Sequence, residues 1–327
     1  MKLLIIFLLF ATKSCFASSK KSSEAESYEP AHFKFVRKNY ADYKDLKKNS
    51  CFSKIHESKY FNRSLPSVLI IHGVEMDYKS EYSKTLVDAF VFRKEHNVIF
   101  GDWSAYAFDD YSDMAHEVDH IADVFVEILN KMRDNKYDLT KLYIIGHSLG
   151  AHIAGRIGRI LQHQNIIIPR ITGLDPTGSL YNHASCWKHW VKFMGSYHKP
   201  LSKDDAKFVD IIHSNAGLYK GIVFSSGHLD FWPNCGVFQP HCDECKLPKI
   251  FTDFHDCSQC SHVASWNYYV ESVYSNIPIF EAKRCDTKIL MKFFCNGDKA
   301  FMGYYASSDA DHGDYYVETN DHSPYSK

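Results

Sequence analysis

Residues 142–155 read "LYIIGHSLGAHIAG", a serine at the end of an apolar run with glycine two residues to either side. A serine hydroxyl attacks a carbonyl carbon only when a nearby base takes its proton and fixed donors hold the oxyanion that forms. The pattern G-x-S-x-G, here Gly146, Ser148 and Gly150, prepares that chemistry when a strand enters and a helix leaves. The sharp turn then presents the hydroxyl at the edge of a sheet. Five residues with three fixed also match by chance, so context decides. "KLYII" precedes as a strand and "AHIAGRIGRIL" follows with helical spacing, which is the required context.

The base needs an orienting carboxylate, and the expected chain order is serine, acid, histidine. In "ITGLDPTG", Asp175 directly follows an apolar run, where a strand end would present it, and Pro176 stops the ladder. A turn-capping aspartate before proline is the plainer alternative. Spacing alone does not choose the histidine among His213, His228, His241, His255 and His262, because most histidines in any fold are structural or exposed.

The elements that must position these groups are legible as alternation. "SVLIIHG" (67–73), "NVIFGDW" (97–103), "KLYIIGHS" (141–148), "PRITGLD" (169–175) and "FVDIIHS" (208–214) read as strands apolar on both faces, as a buried parallel sheet requires. Between them, Met114, Val118, Ile121, Phe125, Ile128 and Met132 recur at three- and four-residue spacing, making one apolar helical stripe. Strands alternating with helices predict an α/β fold around a mostly parallel sheet. Residues 18–30 read as a flexible lead-in, and no linker or repeat divides 31–327, so one domain is expected.

Composition narrows the function classes. The chain of 327 residues is 45% hydrophobic with 38 basic against 39 acidic side chains, which gives no reason to expect nucleic acid. Lys2 precedes nine apolar residues, 3–11, then small polar ones, the pattern of a secretory signal peptide over 1–17. The run is too short for a bilayer span of about 20 residues, so a secreted protein with no transmembrane anchor is expected. Removing Cys15 from the ten cysteines leaves nine, an odd number to pair in an oxidising compartment. "NRS" makes Asn62 a candidate glycosylation site, in keeping with export.

The chain resembles the pancreatic lipase family, in particular its secreted phospholipase A1 members of the insect and venom type. The resemblance is carried, in the family's order, by "IIHG" (70–73), "GHSLGAH" (146–152), "ITGLDPTG" (171–178), "FVDIIHS" (208–214), "GHLDFWPN" (227–234), "QPHC" (239–242), "CSH" (260–262) and "MGYYA" (302–306). It implies an α/β-hydrolase fold with a disulfide-stapled lid and the triad Ser148, Asp175 and His262. His228, in "GHLDF", is assigned to the scaffold. The implied oxyanion donors are the backbone N–H groups of Val74 and Leu149. The family's structural calcium site uses an R-L-D-P-S-D-A stretch where this chain has "PLSKDDA", with Ser202 in place of the first aspartate and Asp205 kept. No calcium, and no other metal or cofactor, is therefore expected. The resemblance also implies a local disulfide between Cys285 and Cys295.

"CDECKLPKIFTDFHDCSQC" (242–260) holds Cys242, Cys245, Cys257 and Cys260 in a spacing that resembles a zinc site. Export and the family context favour disulfides, and nested pairing of Cys242 with Cys260 and Cys245 with Cys257 would staple a flap over the site. The flap's Leu247, Ile250, Phe251 and Phe254 would meet lipid or pack on the rim. Of the remaining cysteines, Cys51, Cys186 and Cys235, one must stay unpaired within the chain, and Cys186 is the favoured odd one. Only nine residues, "LYKGIVFSS", separate "HSNAG" from "GHLDF", and 65 residues (263–327) follow His262. Against the family's triacylglycerol lipases, with their longer loop and C-terminal β-sandwich, both point to phospholipase A1. Trp187, Trp190 and Phe193 are candidate interfacial aromatics or a packed surface loop. The expected partner is lipid at a membrane or aggregate surface, met by a monomer. The alternatives are a triacylglycerol or galactolipid lipase, or a non-catalytic yolk-type storage protein.

Overall fold

The computed structural model describes residues 31–48, 50, 61–181, 198–216, 220–245, 253–287 and 291–327. The signal peptide and lead-in, Cys51, the stretch with Cys186, Trp187, Trp190 and Phe193, and the flap residues Leu247, Ile250 and Phe251 lie outside the described residues.

From the N-terminal side the elements are β1 (His32–Val36), β2 (Tyr43–Leu46), β3 (Ser67–Ile71), α1 (Glu81–Arg93), β4 (Asn97–Asp102), α2 (Tyr111–Asp134), β5 (Leu142–His147) and α3 (Leu149–His163). They continue as β6 (Arg170–Leu174), β7 (Phe208–Ile212), β8 (Leu229–Pro233), α4 (Phe254–Tyr274), β9 (Glu281–Cys285), α5 (Met291–Phe294), β10 (Lys299–Phe301) and β11 (Gly313–Val317). All strands join one sheet in the order β10-β9-β11-β8-β7-β6-β5-β3-β4-β1-β2. The run from β11 to β4 is parallel, and the strands outside it are antiparallel.

The five apolar runs are the parallel centre, β3 to β7, and each is buried along nearly its whole length. Their apolar character on both faces has a direct cause. Leu69, Ile71, Ile144 and Ile171 face the core beneath α2 and α3, while Val68, Ile70, Tyr143 and Ile145 face the core beneath α1 and α4. The α2 stripe from Met114 to Met132 is buried as its spacing predicts. The outer strands carry no such signal: β2 reads "YKDL" and β10 "KAF". Short, charged strands of this kind protect a sheet's open edges from further pairing.

Two glycines set how closely β5 and α3 approach β3. A Cβ on Gly146 would sit 2.4 Å from the Gly150 carbonyl oxygen, and one on Gly150 would sit 2.3 Å from the His72 carbonyl oxygen. Both obstacles are backbone and cannot swing away. At the far edge, the Cys285–Cys295 disulfide is present and ties the end of β9 to α5.

Gly150→Ala is therefore expected to lower the melting temperature severely or to abolish soluble expression, since overpacking against backbone costs at least about 1–3 kcal/mol. Thermal unfolding of the secreted variant checks this. Replacing Cys285 and Cys295 together by serine is expected to cost about 2–3 kcal/mol, the loop-entropy value for a short closed loop. Denaturant unfolding measures it, and catalytic activity should survive because the bond lies away from the site.

Candidate active site

Parallel strands deliver their carboxyl ends to one edge of the sheet, and the candidate residues gather there. Ser148 follows β5 directly with φ 54° and ψ −123°. A positive φ is uncommon for a residue with a Cβ, so the surroundings must hold it. The Ser148 N–H donates to the Leu174 carbonyl at 3.0 Å and the Asp175 N–H to the Ile212 carbonyl at 2.8 Å. These bonds extend the ladder one residue past β5 and β6, locking both side chains at the sheet edge. Asp175 also has a positive φ, 43°.

The buried Asp175 carboxylate is fully engaged. Oδ1 accepts the backbone N–H groups of Ser214 at 2.8 Å and Asn215 at 3.0 Å, and Oδ2 lies 2.5 Å from His262 Nδ1. With Asp175 on Nδ1, the imidazole turns Nε2 towards the cavity that Ser148 also lines. His262 sits two turns into α4, and the helix is itself anchored. The Ser214 hydroxyl donates to the His262 carbonyl at 3.3 Å and accepts the Ser265 N–H at 3.2 Å. Ser258 on the same helix donates to Asn215 Oδ1 at 2.7 Å.

The cavity, about 230 Å³, is lined by Val74, Tyr111, His147, Ser148, Lys220, Gln259 and His262 among others. Val74 leaves β3 through a loop held by His72, whose Nε2 accepts the Trp103 N–H at 3.1 Å and whose carbonyl accepts Trp103 Nε1–H at 2.8 Å. Leu149 opens α3, so its N–H has no intrahelical acceptor and the helix dipole adds positive potential beside Ser148. His147 is fully buried with its ring 4.8 Å from that of His262. Burial and then His262 push its pKa well below the ordinary histidine value, so it adds no charge beside the His262 ring.

The other histidines stand elsewhere. His228 precedes β8 at the opposite edge of the sheet, where its Nδ1 accepts the Val209 N–H at 3.0 Å. His213 is bonded to Asp230 at 2.8 Å and stacked on Trp232, while His255 is exposed. His241 packs against Tyr268 and Tyr325. Sequence reasoning did not find Ser214, Asn215, Lys220 or Gln259. "HSNAG" was visible, but which amides reach Asp175 is decided only by how β7 and β6 align.

The nested disulfides Cys242–Cys260 and Cys245–Cys257 are present. Both end on α4, and Phe254 opens that helix. The flap's base is thus fixed to the element that carries His262. Two of the three ligand-type groups clustered at His241, Cys242 and Cys260 are spent in a disulfide, so the cluster is no zinc site. Cys235 is the free thiol among the described residues and is exposed; Cys186, the expected odd one, lies outside the described residues. Cys235 follows β8 in a left-handed turn with φ 69°. Asn62 is exposed in the turn before β3, open to a glycan. Asp205 is buried against Arg159, at 2.6 Å, with Lys199 at 3.9 Å. Two cations already face one carboxylate, and these residues do not fit a calcium ion.

The lipase family model matches residues 11–325. Lipoprotein lipase from Homo sapiens is 30% identical over 241 residues, covering 70% of this chain and 48% of its own length. Hepatic triacylglycerol lipase from Mus musculus is 33% identical over 226 residues, covering 65% of this chain and 42% of its own length. Among solved structures, an esterase from Pyrococcus furiosus is 15% identical with a TM-score of 0.32, over 46% of this chain and 62% of that one. The chain spans about half the length of the curated relatives it matches. With a family model matching nearly its whole length, the chain belongs to the pancreatic lipase family and has the α/β-hydrolase fold.

Proposed function

We propose that the protein is a secreted serine ester hydrolase acting on lipids, a phospholipase A1 that releases the sn-1 fatty acid. The observation that carries the hydrolase reading is Asp175 Oδ2 on His262 Nδ1 at 2.5 Å, with Ser148 on a strained turn in the same cavity. A storage protein has no use for a positive-φ serine beside a carboxylate-oriented imidazole. The disulfides favour an oxidising compartment. Among the described residues no helix is long and apolar enough to cross a membrane.

In this mechanism His262 Nε2 takes the Ser148 proton as Oγ attacks the ester carbonyl, and Asp175 keeps the other ring proton on Nδ1. The N–H groups of Val74 and Leu149 hold the oxyanion. His262 then protonates the departing alcohol, leaving an acyl-serine. A water gives its proton to His262 and attacks the acyl carbon; His262 then returns that proton to Ser148 Oγ as the acyl–oxygen bond breaks and the fatty acid leaves. The nine-residue segment between "HSNAG" and "GHLDF", shorter than the corresponding loop of the family's triacylglycerol lipases, supports phospholipid over triacylglycerol. The lipase relatives keep triacylglycerol as the second reading.

Ser148→Ala, Asp175→Asn and His262→Ala are each expected to lower kcat about 10⁴-fold or more with the fold intact, because each removes a chemical partner and little packing. Hydrolysis of a short-chain ester alongside circular dichroism checks this; His228→Ala should retain activity, and the reverse pattern would reassign the base. A fluorophosphonate should label Ser148 in the wild type and nothing in Ser148→Ala. Phosphatidylcholine with distinguishable acyl chains should release the sn-1 chain, faster than triacylglycerol is cleaved. Faster cleavage of triacylglycerol would overturn the phospholipase reading and leave the triad standing.

A further inference from the structure

Lys220 stands out among the cavity's lining groups. Its backbone is fixed over the site: its carbonyl accepts the Gly178 N–H at 2.5 Å, and the next two residues bond to Asn215 and Pro176 carbonyls. The side chain reaches across the cavity wall to Gln259, one turn before His262 on α4, donating to its Oε1 at 2.6 Å. Gln259 is neutral, and Lys220 makes no ion pair among the described residues. The carboxylates that act on it are Glu75 first and Asp175 second. Asp175 is already committed to His262 and two backbone N–H groups. That leaves a half-buried ammonium and, on the exposed lip of the same cavity, the Glu75 carboxylate. A half-buried ammonium that makes no direct ion pair gains when a ligand supplies an anion beside it. Tyr111, Thr177 and Ser179 also line this cavity.

We propose that this wall is the head-group subsite of a zwitterionic glycerophospholipid, with Lys220 on the phosphodiester and Glu75 on the head-group ammonium. The assignment rests on the phospholipid reading above and adds which head group the site selects. A neutral triacylglycerol offers nothing to either charge. A net anionic head group satisfies Lys220 but meets Glu75 with like charge. A phosphodiester beside the reacting ester also places its negative charge a few bonds from the carbonyl, as a glycerol backbone allows when the acyl chain lies towards Val74 and Met76.

The experiment compares wild type, Lys220→Gln, Lys220→Arg and Glu75→Gln of the full secreted chain in one mixed-micelle assay. The readouts are kcat/KM on short-chain phosphatidylcholine, phosphatidylglycerol and tributyrin, and inhibition of tributyrin hydrolysis by glycerophosphocholine. Lys220→Gln should lower the phosphatidylcholine-to-tributyrin ratio at least about tenfold and raise the glycerophosphocholine inhibition constant by a similar factor, the loss of a charge-assisted hydrogen bond. Lys220→Arg should keep most of both. Glu75→Gln should shift preference from phosphatidylcholine to phosphatidylglycerol by several-fold. A ratio and inhibition constant unchanged in Lys220→Gln would overturn the subsite, as would an equal fall on all substrates, which marks Lys220 as a structural brace to Gln259. An unchanged head-group preference in Glu75→Gln overturns its part. Wild type that cleaves tributyrin but no phospholipid would sink the phospholipase reading itself, a result separate from any Lys220 outcome.

Discussion

Everything at the site hangs on the parallel ladder running past its own strands. In a parallel sheet all carboxyl ends emerge along one edge. Here the hydrogen bonds do not stop where the strands do, since Ser148 and Asp175 each donate to the neighbouring strand's last carbonyl. Those two bonds hold both residues at positive φ, a conformation that neither side chain favours by itself. The sheet can impose it because nearly every residue of β3 to β7 is buried between helices on both faces. Strain of order 1–3 kcal/mol per residue persists only under such restraint. The stiff centre of the sheet is what holds the Ser148 side chain at the cavity in that conformation.

The second requirement is to satisfy and hold a buried carboxylate. Asp175 is enclosed, and a buried polar group left without partners is costly. The Ser214 and Asn215 amides fill one of its oxygens while His262 takes the other. The same short segment grips α4 through the Ser214 hydroxyl and Asn215 Oδ1. One turn after β7 therefore fixes the positions of both Asp175 and His262. The disulfides act further out on the same helix, so the base of the flap and the imbedded imidazole share one rigid support.

Charge near the reacting atoms is otherwise sparse. His147 is kept neutral by burial beside His262, and His72 is spent in bracing the Val74 loop. Against that neutral background a single ammonium and a single carboxylate at the cavity wall have disproportionate influence on what may enter.

The sequence by itself determined the parallel centre of the sheet, the α2 stripe and the serine turn, because each is a local pattern with a local cause. Runs apolar on both faces mean helices on both faces, and Gly146 and Gly150 mark a backbone approach that admits no side chain. Matched motifs supplied Asp175, His262 and the cysteine pairs. The outer strands were silent, since "YKDL" and "KAF" are shaped by protection of an edge and not by burial. Which of Cys51, Cys186 and Cys235 stays unpaired was equally illegible, because pairing depends on which turns meet in space; Cys235 is free among the described residues. Spacing left His262 and His228 open and the resemblance told them apart; the tertiary structure sets them at opposite edges of one sheet. It alone brought Lys220 across to Gln259 and beside Ser148, residues from three segments whose distances are fixed by strand order and not by any spacing along the chain.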